Sequence, residues 1–103
     1  MITVKPVEKE NTVAFIAEEE GSDAGFCEIA LDNYEVEVLS AEYDKDKPYA
    51  LELLLRAALN FAANRNAYIA KTKLDIFTDF PFEKKGDFYE GTIPELLKGS
   101  CKS

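Results

Sequence analysis

Between residues 47 and 64 the chain places Leu51, Leu54, Leu55, Ala58, Phe61 and Ala62 at the i, i+3, i+4 spacing of one helical face. Glu52, Arg56, Asn60 and Asn64 fall on the opposite face. So wide an apolar arc has to be buried, and in a chain of 103 residues the partner has to be a sheet built from the remaining sequence. Asp46 is placed to cap the helix, Pro48 is tolerated in its first turn, and Asn64 and Asn66 suit its exit.

The segments before this helix read as strands. Residues 2–7 alternate weakly, 12–18 are apolar and β-prone, and 24–31 put Cys27, Ile29 and Leu31 on one face. Turn residues at 19–23 and at Asp32-Asn33 separate them, which predicts an antiparallel meander. In the longer strand 34–43 the apolar set changes parity, from Tyr34, Val36 and Val38 to Leu39, Ala41 and Tyr43. Either a β-bulge near Val38–Ser40 or burial of both faces at the strand's end accounts for that change. After the helix come a short strand at 67–71, an aromatic segment at 74–82, a strand at 86–92 and a helical turn at 94–97. The expectation is one α+β domain over residues 1–103, a mixed and largely antiparallel sheet of five to six strands with one main packed helix.

Charge narrows the partners. Twenty acidic residues against twelve basic ones give a formal net charge of −8, a field that repels phosphate backbones and anionic lipid. Nucleic acid and membranes are therefore excluded as expected partners. Histidine is absent, and Cys27 and Cys101 lack metal-ligand spacing, so neither a metal site nor a disulfide scaffold is expected. Cys27 reads as a small core residue and Cys101 as an exposed thiol without an activating environment. The first residues, Met-Ile-Thr-Val-Lys-Pro, carry no export pattern, which makes the cytoplasm the expected location.

The order strand, bulged strand, helix, strand, short helix and final strand resembles the GNAT acyl-CoA N-acyltransferase fold. Lys45-Asp46-Lys47-Pro48-Tyr49-Ala50 looks like that family's pyrophosphate loop, Q/R-x-x-G-x-G/A. Ile76-Phe77-Thr78-Asp79-Phe80-Pro81-Phe82 looks like its F-Y-x-x-L-G-F segment, continued by Glu83-Lys84-Lys85-Gly86-Asp87. The resemblance implies that coenzyme A, where bound, sits on Lys45, Lys47, Tyr49 and Ala50, with Lys84 or Lys85 assisting. It also implies a carboxylate base on a central strand, for which Glu28, beside Phe26 and Ala30, is the candidate. Tyr34, Tyr43, Tyr49 and Tyr89 are alternative acids.

The departures are specific. Pro48 stands where the loop has its middle glycine, removing an N–H donor, and Asp44 and Asp46 add negative charge. Phe77 stands where the family has its general-acid tyrosine and lacks a hydroxyl. Val7 to Thr12 leaves no room for the helices that the family places between its first two strands. Three readings follow: a catalytically degenerate GNAT-like module that binds a small ligand or a protein and needs no cofactor, a divergent N-acetyltransferase using acetyl-CoA, or, on the net charge alone, an acidic decoy that mimics nucleic acid. A sheet face left uncovered further predicts self-association as a homo-oligomer.

Overall fold

The computed structural model of the chain describes residues 2–77 and 80–100, and for Gly99 and Ser100 the backbone alone. Strands β1 (Ile2–Glu8), β2 (Val13–Glu19), β3 (Ser22–Asp32) and β4 (Glu35–Tyr43) precede helix α1 (Tyr49–Ala63). Strands β5 (Ile69–Thr72), β6 (Glu83–Lys85) and β7 (Phe88–Thr92) and helix α2 (Ile93–Ser100) follow. All seven strands join one sheet in the order β1-β2-β3-β4-β5-β7-β6. Among the described residues only β4 and β5 run parallel, as strands joined by a helical crossover do, and every other pair is antiparallel.

Local chemistry sets the turns. Glu20 and Gly21, both at positive φ (52° and 82°), form the two-residue turn between Glu19 and Ser22, the mirror-image geometry that matches strand twist. Asn33 takes φ 57° in the β3–β4 turn, a conformation asparagine tolerates. Pro6 lies within β1 opposite Phe15, where an edge strand has no second neighbour to demand its missing N–H.

The parity change in β4 is a bulge. Ile29 pairs with Val38 and Glu28 with Ser40, so Leu39 is the extra residue. Val38 remains in the core while Leu39 is 41% exposed. A second shift, which passes over Ala24, separates Ala17–Gly25 from Glu18–Asp23.

Both helices pack on the same face of the sheet. Leu54, Leu55, Ala58, Leu59 and Ala62 of α1 close over Phe15, Cys27, Ile29, Val36 and Val38, and Leu96 of α2 lies on Gly91. Arg56 Nη1 donates to the Leu97 carbonyl at 3.2 Å, joining the helices. No described helix or strand covers the opposite face.

Several details differ from the sequence reading. The sheet has seven strands because Gly86 (φ 65°) and Asp87 turn a hairpin between β6 and β7, where one strand was expected. α1 begins at Tyr49 with Pro48 at its N-cap and no side-chain cap, so Asp46 does not cap it. Tyr34 sits in the turn, 70% exposed, rather than on the Val36 face. In α1, Leu59 and Ala50 are fully buried whereas Leu51 and Phe61 are half-buried. Residues 73–77 and 80–82 contain no helix, so the expected short helix is absent from the described residues. Thr78, Asp79 and Cys101 lie outside them.

Candidate functional site

Glycine-free and carrying Pro48, the 44–50 loop folds back on itself. The Asp46 amide donates to Asp44 Oδ1 at 2.9 Å and the Lys47 amide to the Asp44 carbonyl at 2.7 Å. Ala50 and Leu51 donate to the carbonyls of Lys47 (2.9 Å) and Pro48 (3.2 Å). The first amides of a helix ordinarily lack partners and so recognise anions. Here those of Ala50 and Leu51 are engaged three residues back, and Pro48 has none.

Two of the residues expected to hold coenzyme A turn to an acid on a neighbouring strand. Glu19, at the end of β2, accepts the Tyr49 hydroxyl at 2.7 Å and pairs with Lys47 Nζ at 3.3 Å. The Tyr49 hydroxyl, foremost, holds the Glu19 carboxyl below its usual range against the opposing effect of desolvation, and Lys47 adds to the lowering. The same hydrogen bond raises the Tyr49 phenol, with Glu19, Asp44 and Glu20 adding negative charge around it. Lys45 is exposed beside them and Ala50 is buried in the first turn of α1.

The second expected motif does reach this loop. Ile76, Phe77 and Phe80 meet Pro48, Leu51 and Glu52 around a cavity of about 190 Å³. Phe77 (5% exposed) and Phe80 (6%) meet edge-on at 6.4 Å, and Phe82 lies 6.2 Å from Phe77. Ring packing of this kind stabilises a core. The β4–β5 ladder ends nearby at Val38–Thr72. Fully buried Thr72 donates its hydroxyl to the Val38 carbonyl at 2.9 Å and accepts the Leu74 amide at 3.1 Å.

Glu28 lies elsewhere, on the sheet face away from the helices. The Thr12 hydroxyl donates to its Oε2 at 2.6 Å and Lys9 Nζ stands 3.4 Å from the same atom. Thr12 first, then Lys9, lower its pKa. Of the alternative acids, Tyr43 packs half-buried against the core, while the Tyr89 ring receives Lys84 Nζ at 4.7 Å. Lys85 pairs with Glu83 and Glu90. Burial, and secondarily Glu28, push the Cys27 thiol up to about 12, leaving it protonated and inert at neutral pH. No three His, Cys, Asp or Glu side chains converge as a metal-binding group among the described residues. No described helix is long and apolar enough to cross a membrane.

Sequence reasoning missed Glu19. It ends an apolar strand in a Glu-Glu-Glu run that reads as turn, and only the fold brings it to residues 28 and 30 positions away.

No protein-family model matches the chain, and no curated protein matches it. Solved structures do. Ribosomal-protein-S18-alanine N-acetyltransferase of Escherichia coli superposes with a TM-score of 0.71 at 12% identity, over 90% of this chain and 94% of that one. An acetyltransferase of the GNAT family from Staphylococcus aureus gives 0.64 at 17%, over 80% and 68%. PaiA N-acetyltransferase of Thermoplasma acidophilum, solved in complex with coenzyme A, gives 0.64 at 13% over 80% of this chain. The chain spans 61% of that enzyme's length. At these identities the likeness is one of architecture, and the bulged β4, the parallel β4–β5 pair and the crossover helix together give this chain the GNAT acetyltransferase fold.

Proposed function

We propose that this chain is a GNAT-fold binding module that does not transfer acyl groups from coenzyme A. The observation that carries the reading is the attachment of Lys47 and Tyr49 to Glu19. A phosphate arriving at the loop meets a carboxylate that already holds both side chains, and the amides of Asp46, Lys47, Ala50 and Leu51 already bonded to the loop's own oxygens. The cavity between loop and aromatic segment, about 190 Å³, falls short of the roughly 300–1,000 Å³ of a typical small-molecule site. The residues present therefore fit coenzyme A poorly.

Proton transfer is equally unsupported. Phe77 has no proton to give a departing thiolate. Glu28, ion-paired and with a lowered pKa, is a weak proton acceptor. The test is an acetyl-transfer assay across amines and polyamines together with thermal melting in acetyl-CoA. The expected results are no transfer above background and no rise in Tm.

A second reading, a divergent N-acetyltransferase, draws on the open end of the β4–β5 pair beyond Val38–Thr72 and on the coenzyme A held by the Thermoplasma protein. Turnover abolished by Glu28→Gln would establish it and remove the first.

A further inference from the structure

The sheet face opposite α1 carries a depression of about 660 Å³. Its floor is Ala14, Ile16 and Phe26, adjacent in register across β2 and β3. Val7, 43% exposed, extends the apolar surface onto β1. Exposed Asp23, Glu42 and Asp44 form the far wall. The lining has one cation, Lys9, and it is held by Glu28. Among the described residues Asp23 and Glu42 have no ion-pair partner. An apolar floor beside unneutralised acids is a surface of defined chemistry.

We propose that this face docks a basic amphipathic helix of a partner protein, its apolar stripe on Ile16 and Phe26 and its cations toward Asp23, Glu42 and Asp44. The occupant is argued from the fold. β2 and β3 each pair on both sides, so no backbone is free there to accept another strand. Side chains from above are what can bury the floor. From β1 to β4 is about 14 Å at ordinary strand spacing, enough for one helix of about 10 Å diameter. Charge selects the sign: a second copy of this chain, at net −8, would bring acid onto acid, as would a nucleic acid. This inference rests on the reading of the chain as a binding module and names its partner class.

The test uses a fluorescently labelled Leu/Lys amphipathic helical peptide of about 18 residues, roughly 27 Å long, and the same peptide with Glu for Lys. Anisotropy is expected to rise on titration with the protein for the Lys peptide and not for the Glu peptide. Glu42→Lys is expected to weaken binding about tenfold, one charge-assisted contact's worth, and Phe26→Ser at least as much. Glu95→Lys, the same charge change at an exposed position of α2, is expected to leave it unchanged. Equal losses in Glu42→Lys and Glu95→Lys would mean that the peptide reads net charge alone, and would overturn the proposal. A dimer in sedimentation that Phe26→Ser dissociates would overturn it in favour of a second copy. Failure of the peptide to bind, with coenzyme A also failing, would remove this partner while leaving the non-catalytic reading in place.

Discussion

The Tyr49 hydroxyl at the start of α1 donates to Glu19 at the end of β2, 2.7 Å away. With Lys47 on the same carboxylate, this contact fastens the loop at the start of α1 to the sheet. It also makes the loop sensitive to pH from both sides. Folding lowers the Glu19 pKa, so the contact adds stability above the unfolded carboxylate's range and loses it as pH falls through the folded value. Folding raises the Tyr49 pKa, so the phenol adds stability below the unfolded phenol's range and loses it as pH rises through the folded value. Melting of the protein and of Glu19→Gln is expected to differ at neutral pH and to converge in acid. A gap that persists unchanged below the carboxylate range would contradict the assignment.

Leu54 is fully buried between α1 and the sheet. Leu54→Ala is expected to lower unfolding stability by about 2–5 kcal/mol, read as a shift of the urea midpoint without a change in slope.

Gly25 is required by closeness rather than by φ. A Cβ there would lie 2.6 Å from the Glu42 carbonyl oxygen, 3.0 Å from Tyr43 Cα and 3.1 Å from Leu54 Cδ1. Two of those atoms are backbone of the paired strand and yield only if β3 and β4 part. Gly25→Ala is expected to destabilise by about 1–3 kcal/mol, whereas Gly21→Ala meets no atom within 4 Å and is limited to the strain of its φ of 82°.

Thr72→Val keeps the shape of a fully buried side chain but strips the Val38 carbonyl and Leu74 amide of their partner. The expected loss is about 1–3 kcal/mol. Thr72→Ser, which retains the hydroxyl, should recover part of it; equal losses in the two variants would mean that the methyl, not the hydroxyl, matters.

The sequence made the fold legible wherever a repeating pattern met a wall. The parity change after Val38 marked where β4 departs from a simple alternation, leaving a bulge or a doubly buried end, and the β3–β4 register that passes over Leu39 makes it a bulge. The spacing of Leu54, Leu55, Ala58 and Ala62 placed the helix and its buried side. What stayed hidden had no pattern to show. β6 is Glu83-Lys84-Lys85, exposed throughout, and its strand character comes from pairing with β7 alone. Asp46 had the chemistry of a cap, yet the Asp44 side chain takes the Asp46 amide, and Pro48 stands at the N-cap without a side-chain bond. Of the residues singled out in the sequence, the fold brings Pro48, Tyr49 and Phe77 to one cavity and leaves Glu28 apart from them on the sheet face away from the helices. That Glu19 would claim Lys47 and Tyr49 depended on a tertiary contact that local sequence does not encode.

Isothermal titration of the unmodified protein with coenzyme A tests the central claim most directly, because on the proposed reading the pyrophosphate has to meet the loop's amides and Lys47 whatever the later chemistry. The account predicts no saturable heat at submillimolar ligand, and the appearance of weak binding in Pro48→Gly combined with Glu19→Ala, which restores an amide and frees Lys47 and Tyr49. Low-micromolar binding by the unmodified protein would contradict it, since the loop would then be open to the pyrophosphate as it stands.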